Sequence, residues 1–158
     1  ARFLPVMEQI ERLAQLVGLT VAVPLTPSLY FGAGQQRTPM HFDPTENLTV
    51  CLQGEKFYRL FPPSYAAGLR PKGGLMASLA CRWTGVVPAV YSDLDAWSLA
   101  SGADAEQQLG TSFLDVNLKP GEALYLPSAW WHATGGSQEP NVSIVFGYEP
   151  PAAAGNKL

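Results

Sequence analysis

Eight short β-prone runs, each cut off within a few residues by a turn signal, leave this chain little freedom in what it folds into. Four lie early, at residues 28–31, 40–43, 47–53 and 56–61, and four near the end, at 112–118, 123–126, 131–134 and 141–148. Gly54-Glu55 is a hairpin signal with a glycine able to take positive φ, and Pro62-Pro63 stops the fourth run. Pro120-Gly121, Pro127-Ser128 and Gly135-Gly136 punctuate the later ones. Such a pattern implies an all-β architecture, a barrel or a double-stranded β-helix. The 158 residues, 47% of them apolar, suffice for one domain with a core that needs no staples.

Ahead of the strands, Val6, Ile10, Leu13 and Val17 recur at helical spacing and Gly18 stands where a C-terminal cap sits. Residues 5–17 are therefore expected to form an amphipathic helix outside the main sheet. Residues 19–23, apolar and β-branched and followed by Pro24, read as a short strand. Residues 1–24 are thus expected to pack on a domain of residues 25–149, with 150–158 as a flexible tail. Between the fourth and fifth runs, residues 64–110 form a long insertion. Within it Ser92 and Asp95 resemble a capping box that opens a short helix through Trp97 and Leu99. Val90, Leu94, Trp97 and Leu99 favour a packed lid over the mouth of the barrel.

A net charge of −3 without a Lys/Arg cluster argues against DNA as a partner. No apolar run approaches the ~20 residues that span a bilayer, so no membrane partner is expected. Cys51 and Cys81 are too few for a disulfide framework and read as free thiols. The N-x-Ser/Thr triplets at Asn47 and Asn141 fall in expected strands and read as chance. The chain begins at Ala1, which suggests a processed or trimmed product and leaves the compartment open among cytoplasm, nucleus and, after removal of a presequence, an organelle.

The chemistry concentrates in TPMHFDPTEN, residues 38–47. In a strand, positions i and i+2 share a face, so His41 and Asp43 point at one atom. The only other histidine, His132, sits in LYLPSAWWHATG. Two imidazoles and one carboxylate on a rigid β scaffold are the ligand set of a non-haem Fe(II) oxygenase, with coordination positions left open. Lys56 opens a strand whose neighbours Phe57, Leu60 and Phe61 look buried. It reads either as a hairpin lysine extended into solvent or as a cation inside the barrel that holds a dicarboxylate.

TPMHFDPTENLTVCLQGEKFYRLFPP, followed by LKPGEALYLPSAWWHATG and NVSIVFGYEP, resembles the Jumonji-C (JmjC) family of Fe(II)- and 2-oxoglutarate-dependent oxygenases. Within that family it is most similar to the small hydroxylases related to the asparaginyl hydroxylase that inhibits hypoxia-inducible factor. The resemblance implies a double-stranded β-helix of the jelly-roll or cupin type, with an N-terminal helix and the insertion between strands four and five. It makes His41, Asp43 and His132 the metal ligands and catalytic centre. Lys56 becomes the partner of the distal 2-oxoglutarate carboxylate, with Thr38 as a second contact, while Asn47 and Tyr30 fall on positions lining the co-substrate pocket. The Trp130-Trp131 pair is expected to pack the wall that aims His132. Where the asparaginyl hydroxylase has Asn and Trp on its last strand, this chain has Val145 and Gly147, which widens or depolarises the pocket floor.

The activity so implied is hydroxylation of a protein side chain, with O2 consumed and 2-oxoglutarate converted to succinate and CO2. The resemblance includes no appended chromatin-reading module, so a histone demethylase is not expected. Competing readings are a non-catalytic JmjC-like subunit of a larger assembly and an oxygenase acting on RNA or a small molecule. A cupin isomerase without 2-oxoglutarate is disfavoured by Asp43 standing where such enzymes carry a further histidine.

Overall fold

The computed structural model describes residues 4–19, 25–72, 90–99 and 109–149. The residues described form one helix, nine strands and a short 3-10 turn at Pro63–Tyr65. Helix α1 spans Leu4–Leu16; the strands are β1 (Ser28–Gly32), β2 (Arg37–Phe42), β3 (Glu46–Gln53), β4 (Lys56–Phe61), β5 (Val90–Tyr91), β6 (Leu114–Leu118), β7 (Ala123–Leu126), β8 (Trp131–Gly136) and β9 (Asn141–Tyr148). They make two antiparallel sheets, in the orders β1-β9-β3-β7 and β5-β2-β8-β4-β6. Early and late strands alternate within each sheet, which is the double-stranded β-helix anticipated from the punctuation.

Three apolar clusters follow from the period-two alternation of side chains. Cys51, Tyr58, Leu60, Leu118 and Leu126 meet between the sheets. On the outer face of the four-stranded sheet, Leu48, Phe146 and Tyr148 are covered by Ile10, Ala14 and Leu19. Leu13 and Val17, expected on the buried face of the helix, are each 37% exposed, because Ile10 and Ala14, four apart, already span the contact. Of residues 19–23, expected as a strand, only Leu19 lies within the described residues, and the tail 150–158 lies outside them.

The outer face of the five-stranded sheet corrects the reading of the insertion. Met40, Phe42, Phe61, Trp131 and Ala133 point outward, and Ala66, Leu69 and Ala96 of the insertion complete a buried cluster over them, with Leu94, Trp97 and Leu99 packed alongside. Fully burying side chains such as Phe42 and Phe61 is worth roughly 1.5–3 kcal/mol each, and this stretch supplies their cover. Apart from β5, whose Tyr91 pairs with His41 and sets its ring 5.5 Å away, the described part of the insertion is therefore largely core on the back of the sheet, and the stretch around Trp97 is not a lid over the mouth. The expected helix through Trp97 and Leu99 is also absent. Asp95 instead caps a single turn, its Oδ1 accepting from Trp97 N at 3.0 Å and its carbonyl from Ser98 N at 3.2 Å. The Ser92 hydroxyl is spent on the Leu69 carbonyl and the Leu94 amide. Arg59 donates to the carbonyls of Ala96 at 2.7 Å and Leu99 at 3.0 Å and pairs through two nitrogens with Asp115.

Among the described residues no helix is long and apolar enough to cross a membrane.

Candidate metal centre

The site occupies the space between the sheets, a cavity of about 280 Å³ lined from both. From β2 come Thr38 and His41, and from the turn beyond it Asp43 and Thr45; β3 adds Asn47 and Thr49, β4 adds Lys56 and Tyr58, β8 adds His132 and Thr134, and β9 adds Val145 and Gly147.

His41 and His132 are direct partners in the β2/β8 ladder, so their side chains share the inner face, with ring centroids 4.2 Å apart. Thr38 also pairs across this ladder, with Thr134, and the register shifts between Thr38 and His41. That irregularity, at a stretch where Pro39 has no amide to give the ladder, lets residues three apart both face inward. Asp43 lies one residue past the end of β2, so strand alternation is not what aims it. Its carbonyl accepts from Ala129 N at 2.9 Å, and its carboxylate Oδ2 accepts from Asn47 Nδ2 at 2.7 Å and sits 3.7 Å from His132 Nε2. One donor atom from each of His41, Asp43 and His132 falls within 4.8 Å of the others.

The donor set fits a divalent metal. Each imidazole has Nδ1 against a backbone carbonyl, His41 on Pro39 at 2.8 Å and His132 on Trp130 at 3.1 Å. With the proton on Nδ1, both Nε2 lone pairs are free to ligate. Burial, reinforced by the neighbouring His41, pushes the His132 pKa well below its ordinary value despite Asp43, so the ring is neutral as a ligand must be. Two histidines and one carboxylate, with the rest of the cavity open, match the facial arrangement of non-haem Fe(II).

Lys56 lines the same cavity and is buried, 8% exposed, not extended into solvent. Its Nζ donates to Ser143 Oγ at 3.0 Å and stands over the rings of Tyr30 at 5.0 Å and Tyr58 at 5.7 Å. Desolvation lowers its pKa, and no carboxylate pairs with it among the described residues, so an anion entering the cavity meets an uncompensated cation. Burial likewise raises the Tyr58 phenol to about 12, keeping it protonated as a donor. Thr38 lines this same space, and Tyr30, half exposed on edge strand β1, closes its side.

Ser143, Tyr58 and Leu25 escaped the sequence reading. Ser143 and Tyr58 were findable as inward positions of β9 and β4 once register is known. Leu25 carries no local signal: its amide donates to Gly147 O at 2.8 Å and its Cδ1 lies 3.4 Å from where a Cβ on Gly147 would stand. The floor opened by Gly147 is thus partly refilled by Leu25. Trp131 is buried in the outer cluster, as expected of a residue that packs the wall behind His132, and Trp130 packs against the inter-sheet cluster.

Residues 6–154 match the cupin-like domain family. The chain is 31% identical over 103 residues to Lysine-specific demethylase JMJ30 of Arabidopsis thaliana, covering 65% of this chain and 21% of that protein. It is 28% identical over 120 residues to Jumonji C domain-containing protein 5 of Drosophila melanogaster, covering 76% and 27%. To Lysine-specific demethylase 8 of Xenopus tropicalis it is 26% identical over 108 residues, covering 68% and 22%. The chain therefore spans about a fifth to a quarter of the length of these curated relatives.

Proposed function

The chain belongs to the cupin-like domain family as a JmjC-type domain, and from that premise we propose that it is an Fe(II)- and 2-oxoglutarate-dependent oxygenase that hydroxylates a protein side chain. The observation that carries the reading is the placement of two unlike sites in one cavity: the group His41, Asp43 and His132, and a buried Lys56 with no carboxylate paired to it among the described residues. A metal site alone would suit many cupin enzymes; the buried cation adds a demand for an anionic co-substrate reaching down from the metal.

In this reading His41, Asp43 and His132 hold the iron. Lys56 binds the distal carboxylate of 2-oxoglutarate as a charge-assisted partner, with the hydroxyls of Thr38, Ser143 and Tyr58 as neutral donors around it and Tyr30 as a wall. Bound together, iron, dioxygen and 2-oxoglutarate supply the oxidation: one oxygen atom goes to the substrate C–H, the other to succinate, and CO2 leaves. The protein's share is to fix the ligands, orient the co-substrate and keep the cavity dry. Leu25, in the segment ahead of β1, and Val145 of β9 line the cavity and would exclude water on that side.

Succinate release from 2-oxoglutarate, with Fe(II) and ascorbate and no further substrate, tests the reading. Turnover that depends on Asp43 supports it; absence of turnover in protein shown to bind both iron and 2-oxoglutarate assigns the chain to a binding subunit instead. The names of two relatives favour a second reading, in which the carbon hydroxylated is an N-methyl group. Formaldehyde release from methyl-lysine peptides, against a stable gain of one oxygen in an unmethylated target, separates the two.

A further inference from the structure

Asp43 leaves β2 and belongs to no strand, so no ladder of backbone hydrogen bonds sets the rotation of its carboxylate. The side-chain hydrogen bond that does so comes from Asn47 Nδ2 at 2.7 Å. Asn47 is a rigid mount. It is 7% exposed and sits on β3 between β7 and β9, paired with Leu126 on one side and Gly147 on the other. Its Oδ1 lies 3.5 Å from where a Cβ on Gly147 would stand, so the glycine leaves room for the amide. An ionised carboxylate only accepts, so the amide turns its NH2 to Asp43, which points Oδ1 at the Thr45 hydroxyl, 3.1 Å away. Thr45 thereby satisfies the other end of a buried amide that would otherwise lack a partner.

We propose that Asn47, supported by Thr45, is a positioning residue that aims the Asp43 carboxylate at the metal, and that its place near the co-substrate follows from this role. The proposal rests on the reading of His41, Asp43 and His132 as ligands. A carboxylate already held in one rotation is ordered before the metal arrives, and loss of such an outer partner typically weakens metal binding about 10- to 100-fold.

Cobalt(II), titrated into the protein with no 2-oxoglutarate present and followed by its visible d–d absorption, reads the ligand arrangement without turnover. Asn47→Ala is expected to weaken cobalt binding about 10- to 100-fold and to shift the absorption band. Thr45→Val, which keeps shape and removes the hydroxyl, is expected to lose several-fold, and Thr45→Ser to restore the parent affinity and spectrum. This second pair decides the question even where Asn47→Ala folds poorly. Thr45→Val binding cobalt within about twofold of the parent, with the same spectrum, overturns the proposal. A residue acting only as a co-substrate contact would give that result, since no co-substrate is present. Asp43→Ala run alongside isolates the underlying reading: if it too leaves cobalt affinity unchanged, the ligand assignment falls, and the proposal with it.

Discussion

His41 and His132 stand directly opposite each other across β2 and β8, rings 4.2 Å apart, each anchored through Nδ1 to the carbonyl two residues before it. Burial beside His41 keeps the His132 ring neutral, and with both Nδ1 atoms engaged the two inner nitrogens are left to share a metal ion. The carboxylate of Asp43 completes that demand from the turn beyond β2.

Asp43→Ala is therefore expected to abolish stoichiometric Fe(II) retention and succinate formation, since two imidazoles alone hold the metal weakly. Iron analysis of the purified variant checks it. Full occupancy would mean that the metal, if one binds, is held elsewhere.

Lys56→Met should split affinity from stability. The variant loses a charge-assisted contact worth about 1.5–3 kcal/mol, a roughly 10- to 150-fold weakening of 2-oxoglutarate. The protein without ligand should melt no lower than the parent, because a desolvated cation that among the described residues meets Ser143 and two aromatic faces is replaced by an apolar chain of similar length. A marked drop in its melting temperature would show that Lys56 holds the barrel together, and an unchanged 2-oxoglutarate affinity that it is no binding residue.

Cys51 is fully buried and its sulfur lies against the carbonyls of Gln53 and Gly54, with burial raising its pKa. It should resist iodoacetamide in the folded protein and react only after denaturation, as read by peptide mass mapping. The raised value also fixes a sign. The folded state keeps the thiol proton at pH values where the unfolded chain has lost it, so this contribution to stability is whole below the unfolded pKa and disappears as pH rises through the folded one. Rapid labelling of the native protein at pH 8 would contradict the burial.

Arg59 and Asp115 tie the insertion to the sheet. Asp115→Asn should cost about 1–2 kcal/mol, less than a fully buried pair because the carboxylate side is 43% exposed. Thermal melts of the two proteins at low and high salt check it. No change would assign the anchoring to the carbonyls of Ala96 and Leu99 alone.

Much of this was legible from residue order because the signals are local. Turn dipeptides fix strand ends, and TPMHFDPTEN lies in a single turn and its flanks. Lys56 inside the barrel was one of two open readings, and neither its solitary burial nor its partner Ser143, 87 positions away, is written locally. The insertion misled for a related reason. Val90, Leu94, Trp97 and Leu99 announce that something is packed, but hydrophobicity has no direction, and only the alternation of Met40, Phe42, Trp131 and Ala133 across two strands reveals that the back of the sheet needed covering. Leu25 reaches the site through its bond to Gly147, a contact that no spacing encodes.

The sharpest test of that corrected insertion uses Gly135 on β8 and Trp97. A Cβ placed on Gly135 would stand 3.2 Å from Trp97 Cζ2 and 3.3 Å from Cη2, so the indole must shift to admit it. That shift disturbs the contact of the ring with Arg37, which lies over it at 5.8 Å, while the backbone of Trp97 stays held by Asp95. Gly135→Ala should therefore destabilise by about 1–3 kcal/mol, the usual cost of overpacking. Trp97→Ala should cost about 2–4 kcal/mol, somewhat below a fully buried tryptophan because this one is partly exposed. The decisive quantity is the coupling between them. With the indole gone, Gly135→Ala has nothing to collide with, so the double variant should be no less stable than Trp97→Ala alone, a coupling about as large as the cost of Gly135→Ala itself. Denaturant melts of the four proteins measure it. Both variants should also keep Co(II) binding, since the contact lies on the face of the sheet turned away from His41 and His132. Additive costs would mean that Trp97 does not rest on β8, and the stretch around it would again be a candidate for a cover that moves over the mouth.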